Sequence, residues 1–301
     1  MSETMTEGSA EAYNVADVPH PILLKDEAAA PQPRPHIVEF KHVFKRFEDG
    51  RGKQKLDVLK NFNFKIESKD AGSFVVLLGP SGCGKSTVLS LISGLALADE
   101  GEVCVMGKPV NGPTPESATV PQAYTCYPWL TVLQNVEFGI DIIRKPAGHK
   151  ERRDLALEYL KKVGLEDRHD AYPKQLSGGM QQRVAIARTL AMKLPVVLMD
   201  EPFGALDAQT RSDMQQMVMK LWDEEKNTIV FVTHDIGEAL LLGDRVVVFP
   251  ARPVGEVFEE SDLDDKLGHH RPPELMRSEG FLKLYEKLLL ELKKKPAAPR
   301  A

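Results

Sequence analysis

The sequence predicts an α/β fold in which a largely parallel sheet carries a phosphate-binding loop and a helical segment is inserted between two of its strands. Three observations carry this expectation. Residues 79–87 read Gly-Pro-Ser-Gly-Cys-Gly-Lys-Ser-Thr, the spacing G-x-x-x-x-G-K-[ST]. The short apolar runs 74–78, 196–199, 228–233 and 245–249 alternate with stretches of helical period, as strands buried on both faces do. Residues 123–173 show helical periods in place of such runs, so they read as a helical subdomain within the α/β core.

Composition sets the bounds. A chain of 301 residues can bury one large core or two modest ones. A formal net charge of -5 gives no electrostatic footprint for nucleic acid. The acidic N-terminus lacks the basic and apolar regions of a signal peptide, and no apolar run approaches the roughly 18–20 residues of a membrane span. Cys83, Cys104 and Cys126 match no zinc spacing and read as free thiols of a reducing cytoplasm.

Residues 1–35 read as a disordered tail, with Pro19, Pro21, Pro31, Pro33 and Pro35 among small and acidic residues; its Pro-Ile-Leu-Leu stretch is open to a second reading as a docking peptide. Order is expected from His36. Residues 37–40 and 59–66 read as strands, the second alternating cleanly, with a polar hairpin loop over 48–55. Phe47 precedes that loop; spacing alone favours a core position over stacking on a nucleobase.

Residues 74–78 are expected to form a buried strand leading into the loop 79–87. The glycines let successive N–H groups turn inward toward phosphate oxygens. Lys85 offers a point charge to the outer phosphates, and the Ser86 hydroxyl can ligate Mg²⁺. Val88, Leu89, Leu91 and Ile92 then follow at helical spacing, which places the phosphates on a helix N-terminus. Cys83 reads as a small residue filling the loop, with a reactive thiol beside Lys85 as the alternative. The pattern implies binding of a nucleoside triphosphate.

Residues 101–105 suggest another strand, and Thr131 with Gln134 forms a capping box that starts a helix through Val136 and Phe138. A second helical pattern runs from Lys150 to Val163, with Leu155, Tyr159 and Leu160 on one face. Leu176-Ser177-Gly178-Gly179-Met180 opens a third helix, a second anion-accepting N-terminus without a lysine; plain helix capping is the bland alternative.

The run 196–201 ends in Asp200 and Glu201, placing two carboxylates at the C-terminal end of a strand. Asp200 can hold a metal's hydration shell, and Glu201 can take a proton from an attacking water. Asp207 reads as an N-cap for the next helix. His234 follows the strand 228–233, where a lone histidine is usually structural but beside phosphate can donate to it. Residues 245–249 are expected to close the sheet. Beyond Pro250 the chain is polar, until Phe281, Leu284, Tyr285, Leu288 and Leu292 form an apolar stripe followed by Lys293, Lys294 and Lys295; it reads as packing on its own domain.

In this order the motifs resemble the ATP-binding subunits of ABC transporters over roughly residues 37–255. They are the Walker A loop 79–87, the Q-loop Gln122, the signature 176–180, the Walker B strand ending Asp200-Glu201, the D-loop 205–207 and the switch His234. Met180 departs from the family's usual Gln, past the glycines that face phosphate. Pro128-Trp129-Leu130-Thr131-Val132, Tyr172-Pro173-Lys174-Gln175 and Met199-Asp200-Glu201-Pro202-Phe203-Gly204 are similar to the nitrate, sulfonate and taurine importer branch.

The resemblance implies a P-loop NTPase, RecA-like core with an antiparallel β subdomain and the inserted helical subdomain, followed from residue 256 by a C-terminal extension. It implies ATP and Mg²⁺ as ligands, the metal near Ser86, Gln122 and Asp200. Gly79, Pro80, Ser81, Gly82, Cys83, Gly84, Lys85, Ser86 and Thr87 would hold the phosphates, Phe47 would stack on adenine, and Glu201 and His234 would act in hydrolysis. Ser177, Gly178, Gly179 and Asp207 would close the site from a second copy in a head-to-tail homodimer. Its expected partners are a transmembrane permease and, indirectly, a periplasmic or lipid-anchored solute-binding protein, at the cytoplasmic face of the inner membrane. The region 122–129 is the expected permease-docking surface. Chromosome-organising ATPases would need long coiled coils or DNA-binding insertions, translation-associated relatives usually carry two such heads, and small-molecule kinases lack the signature.

Overall fold

In the computed structural model, residues 36–48, 55–122, 126–143, 148–250, 253–260, 262–269 and 271–293 are described; the readings made for the tail 1–35, the hairpin tip 49–54, Lys294 and Lys295 lie outside them. Among the described residues, two sheets and eight α-helices form the fold.

The first sheet is antiparallel. It contains β1 (His36–Glu48), β2 (Lys55–Glu67), β4 (Glu100–Val105) and β5 (Lys108–Pro109) in the order β2-β1-β4-β5. The alternation in β2 sends Phe62, Phe64 and Ile66 inward and Asn61, Asn63 and Lys65 outward. β1 extends well past the expected residues 37–40, and its pairing with β2 shifts register on both sides of Lys45.

The second sheet is built on β3 (Ser73–Leu78), β6 (Ser117–Val120), β7 (Val196–Asp200), β8 (Thr228–Thr233) and β9 (Arg245–Val248), all parallel where they pair, in the order β9-β3-β8-β7-β6. The expectation that 245–249 closes this sheet is corrected. β10 (Phe258–Glu260) pairs antiparallel with β9 and forms the edge. Its three residues, two of them acidic, carry no strand signal; the ladder to β9 makes the strand.

All six residues of β3 are buried, and their alternation feeds two cores. Phe74, Val76 and Leu78 join the cluster of the helical segment, while Val75 and Leu77 join α1 (Lys85–Ser93) and the antiparallel sheet. Phe62 and Phe249, with ring centroids 5.8 Å apart, bridge the two sheets.

The helical segment contains α2 (Val132–Ile143) and α3 (His149–Lys162), which pack on α4 (Gly178–Leu190). The capping box forms as read: Thr131 N–H donates to Gln134 Oε1 at 2.9 Å, and Gln134 N–H to Thr131 Oγ1 at 3.2 Å. Asn135, wholly buried, binds both backbone groups of Tyr127 and fixes the loop that enters α2.

The remaining helices are α5 (Ala208–Glu225), α6 (Ile236–Leu242), α7 (Leu263–Leu267) and α8 (Glu279–Lys293). Phe281 and Leu288 of α8 are buried, Leu284 and Leu292 partly so, and Tyr285 faces outward. Arg271 inserts its guanidinium under α6, donating to Leu240 O at 3.0 Å and pairing with Asp264. Among the described residues no helix is long and apolar enough to cross a membrane.

Candidate phosphate-binding site

The loop after β3 is shaped by glycines. Gly82 and Gly84 have φ of 76° and 117°, a left-handed region that side chains rarely enter. A Cβ on Gly84 would stand 2.9 Å from Val58 Cγ1, so β2 presses directly on the loop. Gly84 gives α1 no side-chain cap and the first turn holds no acid, which leaves its leading N–H groups for an anion. Lys85 is buried and donates from Nζ to Gly79 O at 2.7 Å and Pro80 O at 2.9 Å. Pro80, Ser81, Gly82 and Ser86 stay exposed at the mouth. Cys83 is buried, and burial pushes its thiol up against the opposing influence of Lys85. It fills space, and the reactive-thiol reading is not supported.

The other polar residues arrive from neighbouring strands. Gln122 follows β6, Asp200 ends β7, Glu201 comes next, and His234 follows β8, so with β3 and its loop four adjacent parallel strands deliver their C-terminal ends to one place. Ser86 Oγ donates to Asp200 Oδ1 at 3.0 Å. Burial raises the Asp200 carboxyl above its usual range; the Ser86 hydrogen bond and Lys85 pull it down, and Glu201 pushes it further up. Glu201 Oε2 lies 3.4 Å from both Gln122 Nε2 and His234 Nδ1. The Glu201 backbone has φ 43°, a left-handed conformation that costs a non-glycine residue about 1 kcal/mol or more. Its N–H is held by Val232 O at 3.1 Å. No sequence pattern announces this strain.

The donor set fits a nucleotide and a divalent cation. The loop offers a glycine cradle, a buried ammonium and an uncapped helix start, and the hydroxyl–carboxylate pair supplies hard oxygen ligands.

Ser177, Gly178 and Gly179 begin α4. Ser177 caps it, as the plainer reading of this stretch has it, its Oγ accepting from Met180 N–H at 3.3 Å. A Cβ on Gly179 would lie 2.9 Å from Thr210 Cγ2, so the α4 start packs on the first turn of α5. Asp207 caps α5: Oδ1 accepts from Thr210 N–H at 3.0 Å and Oδ2 from its hydroxyl at 2.7 Å, which holds the carboxyl below its usual range. The Gly179–Thr210 contact is invisible in sequence, because its two members lie about thirty residues apart.

Phe47 is 43% exposed, opposite the equally exposed Leu56, with Lys45 Nζ 5.3 Å from its ring centroid. The core position favoured by spacing is corrected. The register shifts around Lys45 break the alternation on which that expectation rested.

Comparison with known proteins follows the same outline. The family described as ABC transporter matches residues 59–204. An uncharacterized ABC transporter ATP-binding protein of Methanocaldococcus jannaschii is 50% identical over 210 residues, 70% of this chain and 76% of that protein. The aliphatic sulfonates import ATP-binding protein SsuB of Bacillus cereus is 39% identical over 252 residues, 84% of this chain and 94% of that protein. Among solved structures, a dimeric post-hydrolysis state of an ATP-binding cassette bound to ADP and Pi superposes with a TM-score of 0.65 at 38% identity, covering 74% of this chain and 98% of that one.

Proposed function

The chain belongs to the ABC transporter ATP-binding family, and from that premise we propose that it drives the import of small anions of the nitrate, sulfonate and taurine kind. It is an ATP-binding subunit that hydrolyses ATP in support of transport. The observation that carries the mechanism is the convergence of Lys85, Ser86, Gln122, Asp200, Glu201 and His234 on the ends of four adjacent strands. The sulfonate importer, matched over most of both chains, supports the anion class.

Lys85 and the loop amides bind the phosphates, and Phe47, exposed on its strand, stacks on the base. Ser86 and Asp200, with Gln122 beside them, would hold Mg²⁺, which supplies positive charge to the phosphate oxygens when bound. Glu201 accepts the proton of the water that attacks the γ-phosphate, ADP leaves, and His234 donates to the γ-phosphate oxygens. Ser177, Gly178, Gly179 and Asp207 complete the site of a second copy, so ATP joins two subunits and hydrolysis separates them; the dimeric cassette supports this reading.

The membrane subunit docks beside Gln122. There Tyr127, Trp129 and Phe138 form an aromatic group, with ring centroids 5.7 and 4.8 Å from Tyr127, and Trp129 is 71% exposed. The chain then sits at the cytoplasmic face of the membrane through that partner, with a solute-binding protein on the far side.

Glu201→Gln tests the mechanism. Gln is nearly isosteric but takes up no proton, so turnover should be lost while ATP still binds. The variant should shift from monomer to dimer with Mg-ATP and not with Mg-ADP, as read by light scattering after size exclusion. Near-wild-type turnover, or an inactive variant that stays monomeric in saturating Mg-ATP, overturns the reading.

A further inference from the structure

Glu238 lies four residues beyond His234 in α6, a seven-residue helix with every residue buried. A buried carboxylate there is costly unless its oxygens are paired. Its partners come from two directions. Gln215, two turns into α5, donates its side-chain amide to Glu238 Oε1 at 2.9 Å. From the end of β8 the Thr233 side chain supports the same carboxylate. Arg211 faces it as a cation and Asp235 as a like charge.

Arg211, Thr233 and Asp235 are each anchored next to a residue of the site. Arg211 donates to Leu206 O at 3.0 Å, one residue before Asp207. Thr233 Oγ1 accepts from Asp235 N–H at 3.0 Å, and Asp235 Oδ1 accepts from Glu238 N–H at 2.9 Å, so the turn around His234 is closed on itself. The His234 side chain is 57% exposed, and its 3.4 Å approach to Glu201 is aimed by the backbone of that turn. A buried acid in an otherwise apolar helix adds little to stability compared with an apolar side chain of the same shape. What it adds is direction: a side-chain hydrogen bond that links α5 to α6.

We infer that Glu238 is a positioning residue that ties the turn carrying His234 to the helix that begins at Asp207, so that the two shift together. The inference rests on the role proposed above for His234. It gives the second copy's approach at Asp207 a mechanical route to the hydrolysing side of the same chain.

Glu238→Gln keeps the volume and an acceptor for Gln215, Glu238→Met keeps the volume alone, and Gln215→Met removes the donor from a half-buried position. All are made in the full chain and compared with His234→Ala. Both Met variants should lose at least tenfold in kcat, with KM and calorimetric ATP affinity within about twofold of wild type, while Glu238→Gln keeps half of kcat or more. If Glu238→Met does not fold, Gln215→Met carries the same test. The tie is overturned by Met variants with wild-type kcat, by a parallel loss of ATP affinity, or by a Gln variant as slow as Met. If His234→Ala itself keeps wild-type turnover, the role of His234 fails instead.

Discussion

The Ser86 hydroxyl donates to Asp200 Oδ1 at 3.0 Å, joining residues 114 positions apart in the chain. Ser86 sits in the first turn of α1 after β3, and Asp200 ends β7, with β8 between those strands in the sheet. Parallel order is what makes the contact possible, because it sends both strands' C-terminal ends to one edge. The same pair joins the start of α1 after the 79–87 loop to the strand end that carries Glu201.

Lys85→Ala removes the ammonium that bridges Gly79 O and Pro80 O as well as the charge offered to phosphate. ATP affinity should fall by at least about tenfold, roughly 1.4 kcal/mol, and hydrolysis with it. Isothermal calorimetry checks this; unchanged affinity would falsify the loop assignment.

Ser177→Arg places a bulky cation at the start of α4 while leaving the 79–87 loop intact. ATP binding to the monomer should stay within a few-fold of wild type and hydrolysis should vanish. Mixing it with Lys85→Ala subunits should restore part of the activity, since such a heterodimer keeps one site whose parts are all wild type. No recovery, with active wild-type controls, speaks against a shared site.

Phe47→Ala removes an exposed ring and leaves the core untouched. Stacking of this kind is worth about 1 kcal/mol, so KM for ATP should rise about fivefold with kcat unchanged. A KM identical to wild type would return Phe47 to an incidental surface residue.

Asp200 gives a pH signature. Burial lifts its folded-state pKa above the usual 3.8 of an unfolded chain. Between those two values the folded state holds more protons, so stability falls as pH rises through that window, and above it the penalty is complete. Asp200→Asn should therefore melt higher than wild type at pH 7 without nucleotide, and the gain should shrink as pH falls toward 3.8. Thermal melts across pH decide it; a gain that ignores pH, or a loss at pH 7, contradicts the assigned shift.

What the sequence determined by itself is local. The loop 79–87 is legible because its nine residues are contiguous and glycine geometry admits few alternatives. The Thr131–Gln134 box and the caps Ser177 and Asp207 are legible for the same reason, since each bonds a backbone group three residues away. The alternation of β2 and the continuous apolar run of β3 announced a half-buried and a fully buried strand. The tertiary structure decided everything set by a partner distant in sequence. Phe47 faces outward because register shifts break its alternation, and β10 is a strand because β9 offers it a ladder. Glu201 takes a left-handed φ as Val232 O holds its N–H, and Glu238 is tolerable because Gln215 reaches it from α5. Periodicity reports which side of an element is apolar; which residue stands opposite, and at what angle, is fixed only when the sheets and helices close on one another.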